Sequence, residues 1–164
     1  MRERTACFTG HREIPKKDMR RIRKNTLSAI TKAYENGYRY FGSGGAVGFD
    51  LIAADCVLHL KKKYPDIRLI LVLPCHRQTK YWADEEKKKY NKIKEKADKI
   101  VFTSEQYYNG CMQKRNRHLA DNSSLCICYL TKNTGGTAYT VNYARKNGLK
   151  MVNVSCSDFI DKTD

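Results

Sequence analysis

Two hydrophobic periods alternate along this chain, and that alternation constrains the fold more than any other feature. Short apolar runs at 5–8, 39–43, 68–73, 99–102, 125–130 and 151–154 are separated by longer segments with apolar residues every three or four positions. The short runs read as strands and the longer segments as helices. Over 19–36, Ile22, Thr26, Ala29, Ile30 and Ala33 share one helix face, and Asn36-Gly37 supplies a C-terminal stop. Phe49, Ile52, Ala53, Cys56, Val57 and Leu60 form a second stripe, ended by Tyr64-Pro65-Asp66. Trp82, Glu86, Tyr90, Ile93 and Ala97 have helical spacing, a fourth helix is expected over 112–121, and Gly135-Gly136-Thr137 opens a fifth that ends near Asn147-Gly148. The connections between strands are too long for hairpins and long enough for helical crossovers. The sequence therefore predicts an α/β fold with a mainly parallel sheet of about six strands and helices on both faces. One domain is expected over 1–164, with its core from about 4 to 154 and a short polar tail.

The chain carries 32 Lys and Arg against 17 Asp and Glu, a net charge of +15. Such a surplus attracts polyanions and phosphorylated small molecules and sets no fold. Much of it is lysine on expected solvent faces, such as Lys61-Lys62-Lys63 and Lys87-Lys88-Lys89. A soluble surface accounts for these better than a dedicated nucleic-acid patch, so nucleic acid is the weaker expectation for a partner. No run approaches the ~20 apolar residues of a membrane helix, and the start lacks the apolar stretch of a signal peptide. A cytoplasmic location without membrane contact is expected. The seven cysteines include no C-x-x-C pair. Cys126 and Cys128 are expected on opposite faces of one strand, and no metal site is expected.

Ligands of open parallel sheets bind beyond the carboxyl ends of the strands. Four segments fall there: Thr9-Gly10-His11-Arg12, Ser43-Gly44-Gly45, the loop from Pro74 to Gln78, and Asn133-Thr134-Gly135-Gly136-Thr137. Glycines before a helix let main-chain N–H groups approach a phosphate, and the helix dipole adds partial positive charge. Gly44, Gly45 and Gly48 fit that reading, although an ordinary turn with Asp50 as a first-turn acid fits equally. Gly135 and Gly136 repeat the pattern, with Thr137 either capping the helix or bonding a phosphate oxygen. Arg12 suits a phosphate. His11 suits a ribose hydroxyl or acid–base work, or is satisfied by backbone. Arg115 and Asn116 lie early in the fourth helix, where a solvated basic face is the plain alternative. Trp82, the only tryptophan, suits base stacking or anchoring of the core.

The motifs Cys7-Phe8-Thr9-Gly10-His11-Arg12, Ser43-Gly44-Gly45-Ala46-Val47-Gly48-Phe49-Asp50 and Gly135-Gly136-Thr137-Ala138-Tyr139 occur in this order. Together they resemble the YpsA-like branch of the SLOG superfamily, and the likeness runs from about Thr5 to Val154. It implies a Rossmann-like fold and a nucleotide or ADP-ribose-like ligand across the glycine loops. The superfamily includes LOG-type nucleoside-monophosphate phosphoribohydrolases and the DNA-processing protein DprA, which binds single-stranded DNA. Met112-Gln113-Lys114-Arg115-Asn116 is similar to the M-x-x-R-K segment of LOG enzymes and puts Arg115 in the place of their catalytic arginine. Their glutamate is missing, since Thr140, Val141 and Asn142 occupy its neighbourhood. Cleavage through an oxocarbenium-like state needs such a carboxylate.

The reading that follows is a sensor or carrier of an NAD-, ADP-ribose- or AMP-like nucleotide, with no required cofactor. Gly44, Gly45, Gly135, Gly136 and Thr137 would bind phosphate, Arg12 and Arg115 would neutralise it, and Trp82 or Tyr139 would face the base. Thr9, Gly10, His11, Ser43, Gly48, Asp50, Gln78 and Asn116 complete the expected site. The alternative is a nucleotide N-glycosidase using Arg115 with Asp50 or His11. The third reading is DprA-like binding of single-stranded DNA. A homodimer is compatible with all three.

Overall fold

The computed structural model describes residues 1–156. The part of the polar tail at 157–164 lies outside the described residues. After a short 3-10 turn at Arg2–Arg4, strands and helices alternate strictly. They are β1 (Thr5–Gly10), α1 (Lys16–Glu35), β2 (Tyr40–Ser43), α2 (Phe49–Lys61), β3 (Arg68–Leu73), α3 (Asp84–Lys96), β4 (Lys99–Phe102), α4 (Cys111–Asp121), β5 (Leu125–Tyr129), α5 (Gly136–Lys146) and β6 (Lys150–Asn153). The six strands form one sheet in the order β4-β3-β2-β1-β5-β6, and every pairing is parallel. This is the expected Rossmann-like α/β fold.

The sheet is covered on both sides. Side chains of α1, α2 and α3 pack with Phe8, Phe41, Leu69 and Leu71 on one face. Leu119 and Ala120 of α4 and Val141 and Ala144 of α5 pack with Cys7, Val72, Cys126 and Cys128 on the other. Cys126 and Cys128 therefore share a face, against the expectation that they point apart. Strand side chains alternate with period two, so residues i and i+2 lie on the same side. All seven cysteines are free thiols and six are buried. Burial pushes Cys56 and Cys128 up to about 12, so both stay protonated. Among the described residues no three His, Cys, Asp or Glu side chains cluster as a metal site.

Two elements differ from the sequence reading in ways that shape the site. β1 runs on to Gly10, because Thr9 and Gly10 pair with Cys128 and Tyr129 of β5. α1 begins at Lys16, three residues before the start expected at Met19, since Pro15 stands at its N-cap and fixes the entry. Trp82 precedes α3, in a turn where its N–H donates to the Thr79 carbonyl at 3.0 Å. β1 is flanked by β2 on one side and β5 on the other, while α1 and α5 leave for opposite faces of the sheet. That reversal opens a crevice at the carboxyl ends of β1 and β5. Among the described residues no helix is long and apolar enough to cross a membrane.

Candidate functional site

A cavity of about 1000 Å³ occupies this crevice. It is lined from β1 and its loop by Thr9, Gly10, His11 and Arg12, from α2 by Asp50, from α4 by Arg115 and Asn116, and from α5 by Gly135, Gly136 and Thr137. The topology thus brings ten of the expected site residues to one place.

The loop into α2 is organised differently from the expected phosphate cradle. Gly44 and Gly45 are buried and do not line the cavity. The Gly45 N–H donates to Ser43 Oγ at 3.3 Å, the Ser43 hydroxyl donates to the Asp50 carbonyl at 2.9 Å, and the Ala46 N–H donates to Asp50 Oδ2 at 3.3 Å. The Phe49 N–H at the start of α2 donates to the His11 carbonyl at 3.2 Å. A buried loop must satisfy its own polar groups, and here Ser43 and Asp50 do so. Amides engaged in this way are not offered to a ligand.

Arg115 completes the clamp. It is 3% exposed. Its Nη1 donates to the Gly44 carbonyl at 2.5 Å and the Val72 carbonyl at 3.4 Å, and its Nε to Asn116 Oδ1 at 2.9 Å. Gln78 Nε2 donates to the same Gly44 carbonyl at 3.4 Å, so Gln78 supports the loop rather than lining the cavity. A side chain on Gly44 would meet Arg115 Cζ at 2.6 Å and Asp50 Oδ2 at 2.8 Å. Burial raises the Asp50 carboxyl, opposed by the Arg115 charge and the Ala46 N–H. Burial lowers Arg115, opposed by the Asp50 charge. Each charge thus offsets part of the burial cost of the other.

The mouth of α5 is the opposite case. Gly135 stands at the N-cap with φ 95°, and no side chain caps the helix. Gly135 and Gly136 are exposed, with no atom within 4 Å of where a side chain would begin. First-turn amides have no partner within their helix. Those of Gly136 and Thr137 have no hydrogen-bond partner among the described residues, and both residues line the cavity. Arg12 is exposed on the facing wall and makes no hydrogen bond or ion pair among the described residues.

His11 ties the two walls together. Its Nε2 accepts the Thr131 N–H at 2.9 Å, and its ring meets Tyr129 edge-on at 5.5 Å. An accepting Nε2 leaves the proton of the neutral ring on Nδ1. Burial and then the Lys132 charge hold its pKa below the ordinary value. A histidine with a lowered folded pKa adds stability above its unfolded pKa, which is lost as pH falls through the folded one. Thermal melts should therefore show a loss of stability below about pH 6.5 that is smaller in His11→Gln. Equal pH slopes in the two proteins would refute the tether.

Besides Ser43, Gly44, Gly45 and Gln78, three further expected ligand residues stand outside the crevice. Gly48 and Trp82 line a second cavity, and Tyr139 lies outside both with its hydroxyl 3.5 Å from Arg117 Nη1. The sequence reading missed Glu13, Asp18, Thr131 and Lys132, all of which line the crevice. Their signal was position alone: each follows the end of β1 or β5.

The YpsA model, described as the YspA SLOG family, matches residues 8–160. The chain belongs to this family. It is 35% identical over 132 residues to the uncharacterized SPbeta prophage-derived protein YoqJ of Bacillus subtilis, covering 73% of this chain and 75% of that one. It is 24% identical over 128 residues to the UPF0398 protein YpsA of the same organism, covering 76% and 71%. Among solved structures it resembles DprA of Streptococcus pneumoniae, with TM-score 0.67 and 20% identity. It also resembles DprA of Helicobacter pylori, described in its single-stranded DNA binding mode, with TM-score 0.65 and 20% identity. The likeness covers 91% and 90% of this chain but 49% and 63% of those two, so it concerns part of each DprA chain. At such identity it speaks for the fold.

Proposed function

We propose that this protein binds a nucleotide-derived ligand in the β1–β5 crevice, as a sensor or carrier. The observation that carries the reading is the exposed, uncapped mouth of α5 facing an uncommitted Arg12. A phosphate there takes the amides of Gly136 and Thr137, with Arg12 and Lys132 supplying countercharge. The cavity volume suits a nucleotide. His11 remains neutral, and its Nδ1–H is available to a ribose oxygen.

A glycosidase is supported less well. Nη1 and Nε of Arg115 donate to protein oxygens, and Asp50 Oδ2 is engaged by Ala46. Both side chains have structural work that a catalytic pair would have to abandon. Incubation with AMP or NAD should therefore release no free base.

Calorimetric titration with AMP and ADP-ribose tests the reading, with Thr137→Asp as the decisive variant. An aspartate in the first turn favours the helix dipole, so the variant should fold as well as the parent. Its charge would repel a phosphate at the α5 mouth, and affinity should fall about tenfold or more. Unchanged affinity would place the phosphate elsewhere. A second reading, single-stranded DNA binding, is favoured by the charge of +15 and the likeness to DprA. It predicts affinity for an oligothymidylate that drops steeply with salt.

A further inference from the structure

Two further cavities, of about 860 and 350 Å³, lie along α2 between α1 and α3. They meet at Arg23 of α1 and Asp55 of α2, an ion pair at 2.6 Å that lines both. On α2 the larger is lined by Gly48, Leu51, Ile52 and Asp55, the smaller by Asp55, Leu58, His59 and Lys62. These positions recur every three or four residues, so they form one face of the helix. α3 supplies the facing wall, through Glu86, Lys89 and Ile93 and then Lys96. One groove therefore follows α2 from its start to its end, a length of about 21 Å at the rise of an α-helix. Only the ridge of Arg12, Glu13 and Ile14 lines both this groove and the crevice, so the two sites are distinct.

The two ends of the groove differ in chemistry. At the start of α2 the floor is Val47, Leu51, Ile52, Trp82 and Ile93, with the exposed Met19 at its edge. Trp82 is half-buried and edge-on to Tyr90 at 5.4 Å, and its indole N–H makes no hydrogen bond among the described residues. Glu86 on the rim is paired with Lys89 at 3.5 Å. At the end of α2 the lining is basic. Lys61 is paired with Asp98, but the exposed side chains of Lys62 and Lys96 have no partner among the described residues. A straight groove between helices, apolar in one half and cationic in the other, is the complement of a single amphipathic helix.

We propose that the α2 groove docks an acidic amphipathic helix of a partner protein, about fourteen residues long. Its first half carries carboxylates that meet Lys62 and Lys96, where its own helix dipole also favours them. Its second half carries apolar side chains that cover Leu51, Ile52 and Trp82. Burial there supplies the affinity, and the lysines set the direction of the partner along the groove.

The probe is a labelled synthetic helical peptide of about fourteen residues, rich in glutamate in its first half, with leucine every three or four positions in its second and no tryptophan. Binding to the full-length protein is read by anisotropy of the label and, with an unlabelled copy, by the emission of Trp82, the only tryptophan. Saturable binding with a change in emission is expected. Lys62→Glu with Lys96→Glu should weaken binding about tenfold or more. Replacing the peptide's leucines by alanine should weaken it as much and remove the emission change. Lys146→Glu with Lys150→Glu alters net charge equally, on α5 and β6, and should shift the affinity by no more than about twofold. All four lysines are exposed, so both variants should fold, and their melting temperatures check this. No binding, equal losses in the two charge variants, or unchanged emission at saturation would overturn the proposal. Dimers of the unbound protein that the peptide dissociates would give the groove to a second copy and overturn it. Displacement of the probe by an equal concentration of a peptide of residues 157–164 would give it to the chain's own end, with the same result.

Discussion

Arg115→Ala is expected to destabilise the protein by about 3–5 kcal/mol, a fall of about 6–20 °C in melting temperature for a chain of this size. The side chain is buried, and Nη1 reaches carbonyls of two different strand ends, Gly44 after β2 and Val72 in β3. Truncation leaves the Gly44 carbonyl with only Gln78 and leaves the Asp50 carboxylate with the Ala46 N–H and the unbonded charge of Arg12. An uncompensated buried charge is the costly product. The pH dependence separates this from simple loss of packing. Without Arg115, burial acts on Asp50 with less opposition, and its folded pKa rises further above the unfolded one. An acid raised in this way contributes stability below its unfolded pKa of about 3.9, and that contribution is lost as pH rises through the folded value. The deficit of Arg115→Ala against the parent should therefore be larger at pH 8 than at pH 5. Adding Asp50→Asn should recover part of it and flatten its pH dependence. Urea titrations at both pH values decide, and a deficit equal at both would remove the charge argument.

The same residues show what the sequence could and could not disclose. Strand and helix alternation was legible because burial imposes two different periods, and the runs at 68–73 and 99–102 match β3 and β4 in full. The crevice was legible in outline, because parallel topology places every strand's carboxyl end on one edge. What the sequence hid was which glycine loop faces inward. Ser43-Gly44-Gly45 and Gly135-Gly136-Thr137 look alike as strings. They differ because Asp50 and Arg115, 65 positions apart, close over the first and nothing closes over the second. Such long-range partners leave no local pattern. The sequence also could not divide Trp82 from the crevice, because the division is made by a three-residue ridge, Arg12, Glu13 and Ile14, which lines both cavities and whose position depends on a contact with Gly48.

Gly48→Ala tests that contact. Gly48 has φ 85° and ψ −127°, a conformation that side chains rarely adopt and that costs about 1–3 kcal/mol when forced. The new methyl would also lie 2.2 Å from the Arg12 carbonyl oxygen and 2.6 Å from its Cα. Those are main-chain atoms, so no side-chain rotation relieves the overlap and the ridge itself must move. Overpacking of this kind adds about 1–3 kcal/mol. Gly148→Ala provides the comparison: its φ is 82°, but nothing lies within 4 Å. That variant should lose only the backbone part, about 1–2 kcal/mol. The excess loss in Gly48→Ala measures how firmly the ridge is pinned to the start of α2. A displaced ridge carries Arg12 with it, so Gly48→Ala should weaken both AMP and NAD, whereas Gly148→Ala should weaken neither. Equal destabilisation by the two alanines would mean that the ridge is free to yield. The partition between the two cavities would then be soft, and a ligand in the crevice would lose its fixed Arg12.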